Sequence, residues 1–510
     1  MTGPERLRVF AAGLLLAGLP GVHLVELGYA FVSVEVLGLT ALFGAAGAGV
    51  GWLLRGSRHY RIAFLAMLLC FLDVYFLTGA NARAANALHP GLGIGFAVAP
   101  YVLLVTLFLA WRRVEQTLLL VVPVFAFVFF LGGLATPQAP LLAGQGAEGL
   151  PAGDPDRGIY VHLILDEQQS PLVPGSDPAG DHPGRQVLDA YAAAGFRAYG
   201  NVQSVAPNTY RSLGAVFGQT DRDDHYHEHA GGSAFSFALK ENRLAAQLLD
   251  AGYRVDVVQT NFLDLCGDDP RIGCRTYTRA ADMRGVAPKT RAVPQRLWLA
   301  LLALHQDYRD NLGGRNIRLY RALVADGWDA LRGDRASDLG FFSRAGVVLA
   351  VIDDLEDRMA GLQPGDALIA HLLLPHHPFV LDRDCALKPM RDWRMPARVW
   401  PGATDQEIFS AFWDQSECTN TRLLRALEVL DGREDVTVVI HGDHGARIFW
   451  ETDRETAEDN LGTFLAVRGP GQVAGIDAAP KRLPALTTDI LGAQVSNEVS
   501  EALDAPRAGR

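Results

Sequence analysis

Apolar residues fill most of the chain up to about residue 135 and are then confined to short runs. Five apolar stretches, at 8–31, 33–54, 61–79, 92–111 and 117–135, each approach the ~20 residues a helix needs to cross the hydrocarbon core of a bilayer. Pro20, His23 and Glu26 interrupt the first. A cleavable signal peptide would account for one such stretch, not five. Arg6 and Arg8 precede the first stretch, Arg55, Arg58 and Arg61 lie between the second and third, and Arg112 and Arg113 between the fourth and fifth. The other junctions hold Arg83 or no basic residue. Basic loops stay in the cytoplasm, so the pattern predicts a cytoplasmic N-terminus and a multi-pass anchor over 1–135. Everything beyond about residue 136 is then exported, to the periplasm or exterior of a bacterial inner (plasma) membrane.

Beyond the anchor the pattern changes. Residues 136–158 are rich in Pro, Gly and Ala with little periodicity and read as a linker. Residues 159–510 then alternate short apolar runs with helical spacing. The runs "IYVHLILDE", "YRVDVVQT", "ALIAHLLLP" and "VTVVIHGDHG" read as buried strands, and "GRQVLDAYAAAGF" as a helix ending at glycine. This alternation predicts an α/β domain, a mainly parallel sheet between helices. Ligands of such sheets bind beyond the carboxyl ends of the strands, and three of these strands deliver acids or histidines there. Residues 280–345 carry two amphipathic helical patterns, expected to cap the sheet or to lie on the membrane surface.

Size and charge narrow the picture. A chain of 510 residues exceeds one ordinary core, so at least two structural units are expected. The net charge of −11 and the lack of a basic stripe exclude a nucleic-acid binder. Cys70 lies in the third apolar stretch, and the other four cysteines all fall in the exported part, where disulfides form. Of the possible pairings we expect Cys266–Cys274 and Cys385–Cys418.

Four segments carry candidate chemistry. Asp166 and Glu167 close the first strand, where carboxylates can hold a divalent cation or be solvated acids at a loop start. "PNTYRSLGAVFG", 207–218, offers the hydroxyls of Thr209 and Ser212 at a helix start, as a nucleophile beside a metal or as N-caps, a role Asn208 could also fill. "HLLLPHHPFVLDRD", 371–384, places His376 and His377 after a strand, as ligands of a metal or an anionic oxygen, or as polar aromatics of a surface loop. "VIHGDHGAR", 439–447, sets Asp443 and His444 between Gly442 and Gly445 directly after an apolar run, the most specific metal signal of the four. His225, His227 and His229 alternate in "DRDDHYHEHAGG", read as a solvated loop or a second metal or substrate tract. Asp73, inside the third apolar stretch, is a functional acid or a partner of His23.

The order of these motifs, strand-acid, Thr with Ser three later, H-x-P, then "GDHG", resembles the alkaline phosphatase and sulfatase superfamily over about residues 159–495. With five preceding apolar stretches it resembles lipoteichoic acid synthases and lipid A phosphoethanolamine transferases. The resemblance implies that Asp166, Glu167, Asp443 and His444 bind metal, that Thr209 is the nucleophile, and that His376 binds the substrate phosphate or a second metal. His377 and Arg447 are expected beside it on the anionic group. The threonine and the absence of Cys-x-Pro-x-Arg depart from the formylglycine sulfatases. The two-zinc transferases carry a further histidine after "DHG"; "ARIFWETDRETAEDNLG" has none, so one ion, Zn²⁺ or Mn²⁺, is expected rather than two. His441 is a further ligand or a support of Asp443.

The reading is a membrane-anchored, metal-dependent transferase. It moves a phosphoglycerol or phosphoethanolamine type head group from a phospholipid donor, through a threonine intermediate, to an envelope glycan or lipid acceptor. The alternatives are a hydrolase of the same superfamily, a phosphatase, phosphodiesterase or sulfatase, and a non-catalytic lipid-sensing membrane regulator.

Overall fold

The computed structural model describes residues 3–72 and 142–496, apart from positions within 27–31, 56–58, 173–182, 230–234, 278–343, 390–391, 397–401 and 450–454, with isolated positions elsewhere. The chain divides into two compact units, Met1–Ala139 with Ala280–Ser343, and Pro140–Arg279 with Arg344–Arg510.

In the first unit, helices α1 (Gly3–Glu26), α2 (Val34–Leu54) and α3 (His59–Leu72) follow the first three apolar stretches. Ser33 caps α2 by accepting the Val36 N–H. Gly44, Gly47 and Gly51 of α2 lie against Ala17, Ala12 and Val9 of α1, so close that a side chain at Gly47 would strike the Ala12 backbone. Small residues of this kind let helices pack backbone to backbone, as in lipid. Among the described residues, α2 is the helix long and apolar enough to cross a membrane, with 21 residues and a mean hydropathy of 1.7. The fourth and fifth apolar stretches and Asp73 lie outside the described residues save for isolated positions, as do the two helical patterns predicted between 280 and 343.

The second unit is built on a large sheet. Its strands are β1 (Ala143–Gln145), β2 (Ile159–Asp166), β3 (Arg197–Gln203), β6 (Arg254–Thr260), β8 (Ile272–Tyr277), β9 (Asp366–Pro375), β10 (Val436–Gly442), β11 (Gly462–Arg468), β12 (Gly475–Asp477) and β13 (Lys481–Arg482). The order is β1-β8-β6-β9-β2-β10-β11-β3-β12, with β13 also on β3. Strands β8, β6, β9, β2 and β10 run parallel. Residues of β2 and β10 are buried throughout, because helices cover both faces. Helices α5 (Thr209–Phe217), α6 (Arg243–Asp250) and α10 (Leu483–Ser496) bury Leu213, Phe217, Leu244, Leu248 and Leu486 against Tyr160, Ile164, Val257 and Val439 on one face. Helices α7 (Arg344–Ala360) and α8 (Asp405–Ala426) pack on β9, with α4 (Pro183–Ala193) beside α8.

The sheet is mainly parallel, as expected, with two antiparallel strands in it: β11 lies antiparallel between β10 and β3, and β1 antiparallel on β8. The return from β10 to β11 runs through the loop 443–461 and short α9 (Ala457–Leu461), with no crossover over a sheet face. Part of the stretch read as linker also belongs to the sheet, since β1 is too short to show a period. A small second sheet joins β4 (Tyr226–Glu228), β5 (Phe237–Leu239) and β7 (Leu263–Asp264). Of the histidine tract, His227 lies on β4 and His225 and His229 flank it, with the rings of His227 and His229 5.5 Å apart. The disulfides are Cys266–Cys274 and Cys385–Cys418, as expected.

Candidate active site

The carboxyl ends of β2, β9 and β10, adjacent in the sheet, meet the N-terminus of α5. Asp166 is the last residue of β2, and Asp443 and His444 follow β10 directly; all three are buried. Thr209 opens α5. Its hydroxyl lies 3.4 Å from Asp166 Oδ2 and 3.3 Å from His444 Nε2. The N-cap is Asn208, whose side chain makes no cap bond, and the Ser212 hydroxyl donates to the Asp443 carbonyl at 2.5 Å. Ser212 therefore ties α5 to the Asp443 backbone, and the Thr209 hydroxyl faces the reactive cluster. Asp443 is fixed by two backbone N–H groups on its Oδ1, from Glu167 at 2.9 Å and His444 at 2.8 Å. The Nδ1–H of His444 donates to the Gly445 carbonyl at 2.8 Å, which leaves the Nε2 lone pair for a ligand or a proton. Glycine at 442 and 445 is demanded by space: a Cβ at Gly442 would meet Gln168 and Thr463, and one at Gly445 the backbone of Asp459 and Asn460.

His371 joins this cluster from β9, one strand over and opposite Ile164. Its Nε2 is 3.3 Å from Asp166 Oδ2. Asp166, His371 and Asp443 present ligand atoms that all lie within 4.8 Å of one another. Asp166 Oδ1, Asp443 Oδ2 and both ring nitrogens of His371 are buried without a hydrogen-bond partner. Burial and the Asp166 charge push the Asp443 carboxyl well above the usual carboxylate range. Two buried carboxylates held against each other, beside orphaned imidazole nitrogens, form a site whose chemistry fits a divalent cation.

Glu167 does not share that cluster. Its backbone takes a positive φ of 62°, turning its buried side chain the other way. There it accepts from His377 Nδ1 at 2.8 Å and from the His377 N–H at 3.1 Å, faces His376 Nε2 at 3.6 Å, and is ion-paired with the Arg447 guanidinium. Burial would raise Glu167, but His376, His377 and Arg447 hold it well below the carboxylate range. The eight predicted residues therefore form two adjoining groups. Asp166, Thr209, Asp443 and His444 make one; Glu167, His376, His377 and Arg447 make the other. Burial lowers His444 to about 3 and His376 to about 4.

His441 is buried and faces His162, Nε2 to Nε2, at 2.8 Å. Its Nδ1–H donates to the Gly442 carbonyl at 2.9 Å, and His162 Nδ1 is 3.0 Å from the Tyr160 hydroxyl. Directions follow from the carbonyl: Tyr160 O–H to His162, His162 N–H to His441, His441 N–H to Gly442. With both ring nitrogens engaged, His441 supports the backbone beside Asp443. Sequence reading missed His371, whose signal was a lone histidine inside an otherwise apolar strand. It also missed Gln415 of α8, which holds the loop of His376 and His377 through its amide.

Fold and site define a class: α/β proteins that gather carboxylates, imidazoles and a hydroxyl at the carboxyl edge of a largely parallel sheet. No family model matches the chain, and no curated protein matches it either. The solved structures to which it is similar include sulfatases and phosphoethanolamine transferases, at low identity. One is the soluble domain of lipooligosaccharide phosphoethanolamine transferase A from Neisseria meningitidis, at 14% identity and TM-score 0.35, covering 68% of this chain and 90% of that one. Another is the phosphonate monoester hydrolase of Agrobacterium radiobacter, at 15% identity and TM-score 0.37, covering 66% and 74%. A third is a putative sulfatase from Bacteroides thetaiotaomicron, at 12% identity and TM-score 0.39, covering 68% and 73%.

Proposed function

We propose that the protein is a membrane-anchored, metal-dependent enzyme acting on phosphate esters, with Thr209 as its nucleophile. The observation that carries this is the Thr209 hydroxyl at a helix N-terminus, within 3.4 Å of both the Asp166 carboxylate and His444 Nε2. Asp166, Asp443 and His444, with His371 beside them, would hold a divalent ion. That ion, Zn²⁺ or Mn²⁺ for such mixed ligands, would lower the pKa of the hydroxyl and neutralise charge on a phosphate oxygen.

The remaining steps belong to the chain's own groups. The hydroxyl donates toward Asp166 Oδ2, the acceptor that takes its proton. Thr209 Oγ1 forms a bond to phosphorus, and the bond from phosphorus to the lipid's glycerol oxygen breaks. That oxygen leaves as an alcohol, protonated by water. The free N–H groups at the start of α5 face the phosphate. An acceptor hydroxyl then attacks the phospho-threonine and gives its proton to the hydroxide that the protonating water left, the P–Oγ1 bond breaks, and Thr209 recovers its proton from Asp166. The donor in this reading is a phospholipid with a phosphoglycerol or phosphoethanolamine head group, and the acceptor an envelope glycan or lipid. In this reading the apolar helices of the first unit anchor the chain in the bilayer, in a multi-pass inner-membrane protein with a cytoplasmic N-terminus and an exported second unit.

The test is turnover of a fluorescent phospholipid by the purified full chain with Zn²⁺ or Mn²⁺, and mass spectrometry of the Thr209 peptide. The wild type should turn the lipid over and carry the head group on Thr209, and Thr209→Ala should lose at least about 10³-fold. Turnover that survives Thr209→Ala would remove Thr209 from the mechanism. Turnover indifferent to added glycan would make water the acceptor and the enzyme a hydrolase.

A further inference from the structure

Strand β9 loses its neighbour on one side at the point where it carries His371. Its ladder with β6 ends at Val258 opposite Ala370. Beyond that pair β6 turns off, with Thr260 Oγ1 accepting the Phe262 N–H at 3.1 Å. On the other side the pairing with β2 is irregular: Leu165 faces Leu372, and the next residue, Asp166, faces Pro375. The buried Tyr277 fills the gap left by β6. It ends β8, opposite Thr260, and its side chain passes the end of β6 to reach β9. Its hydroxyl donates to the His371 carbonyl at 2.6 Å and accepts from the Leu373 N–H at 3.1 Å. A residue of a parallel strand bonds its neighbour in this way, to the carbonyl of one residue and the N–H two further on. One phenol thus replaces one residue of the missing strand.

We propose that Tyr277 is a positioning residue of the candidate metal site: its hydroxyl fixes the β9 backbone at His371, and so keeps that imidazole beside Asp166 and Asp443, where the ligand atoms of all three lie within 4.8 Å of one another. The inference rests on the metal-dependent reading above. A metal-binding histidine is commonly aimed by a hydrogen bond from its other ring nitrogen. His444 has such a bond, from Nδ1–H to the Gly445 carbonyl. His371 does not, because both of its ring nitrogens are buried without a hydrogen-bond partner. Its aim is therefore set by packing and by its own backbone, and the carbonyl of that backbone is the group Tyr277 holds. The other ligands have supports of their own. Asp443 Oδ1 accepts two backbone N–H groups, and Ser212 ties the start of α5 to the Asp443 carbonyl. Loss of the Tyr277 hydroxyl should therefore reach the ion through His371 and not through Asp443, His444 or Thr209.

The test measures Zn²⁺ affinity of the full chain, purified in detergent, by competition with a chromophoric chelator. Tyr277→Phe removes the hydroxyl and keeps the ring. It should weaken Zn²⁺ binding about 10–100-fold, the usual effect of losing a support behind a ligand. His371→Ala should weaken it at least as much. Adding Tyr277→Phe to His371→Ala should then change the affinity less than about threefold, because no imidazole remains to be positioned. A purely structural role predicts the same loss in both backgrounds, and that result would overturn the proposal. So would an unchanged affinity in a folded Tyr277→Phe protein. X-ray absorption of the Zn²⁺-loaded wild type needs no variant: two imidazoles on the ion, His371 and His444, are expected, and a single one would overturn the proposal. Each of these failures leaves the metal-dependent reading intact. A wild type that binds no ion would remove that reading, and this inference with it.

Discussion

Gln415 anchors the segment that carries His376 and His377, and its removal has a calculable cost. The residue is fully buried on α8. Its Nε2 donates to the carbonyls of Pro375 at 3.0 Å, His376 at 3.0 Å and Pro378 at 3.1 Å, and its Oε1 accepts from the N–H groups of Val380 at 2.9 Å and Leu381 at 3.1 Å. An amide nitrogen has two hydrogens, so one of the three donations is shared. Gln415→Leu keeps the volume and deletes every one of these bonds. At about 1 kcal/mol net per bond the loss is ~4–5 kcal/mol, and the carbonyl of partly exposed His376 recovers part of that from water. The Cys385–Cys418 disulfide still holds the loop to the same helix, so the fold survives and the loop loosens. The expected net loss is about 3–4 kcal/mol, seen as a fall in Tm of roughly 6–10 °C for a unit of this size. Thermal unfolding under non-reducing conditions measures it. A shift below about 2 °C would mean that packing and the disulfide alone hold the loop, and would refute this assignment of Gln415.

Two further outcomes follow from positions outside the reacting groups. Burial raises Asp256 to about 6, against the opposing pull of Arg275 and the Ala147 N–H. A carboxyl raised on folding favours the native state below the unfolded value near 4, and that advantage is lost as pH climbs to about 6. Asp256→Asn should therefore flatten the stability profile between pH 4 and 6 and add about 2 kcal/mol at pH 7, discounted for partial exposure; chemical denaturation across that range would show an unchanged slope if the reasoning fails. Gly445→Ala drives a Cβ into the backbone of Asp459 and Asn460, which has no flexible end to yield. It should cost about 2–4 kcal/mol and lower metal content, and a Tm within a degree of wild type would show that the loop can part there.

The strands that end in chemistry were legible because they are buried on both faces, which leaves a continuous apolar run, and because the polar residues closing them break that run abruptly. The start of α5 at Thr209 was legible for a similar reason: a turn-forming Pro-Asn precedes helical spacing. The edge strands β1, β12 and β13 were not, since two or three residues show no period. Glu167 neighbours Asp166 along the chain but turns to His376, His377 and Arg447. Adjacent residues in an extended strand point to opposite sides, and a left-handed φ at 167 separates them further. Only the backbone angle reveals which cluster the second acid joins.

His371 shows what strand ends alone leave out. Neighbouring parallel strands align in rows, and the register puts His441, Ile164 and His371 in one row and Val439, His162 and Ile369 in another. Residues two apart on β2 share a face, so His162, His371 and His441 all lie on the face that α5 covers. Read along the chain, each is a lone histidine in an apolar strand, the commonest form of a buried structural residue. Read across the sheet, two of them become a hydrogen-bonded chain that ends on the Gly442 carbonyl, and the third meets Asp166 and Asp443. The distinction depends on pairing partners more than two hundred residues apart, which no local period encodes. The ends of the strands therefore announce a site, and the residues set back along neighbouring strands complete it.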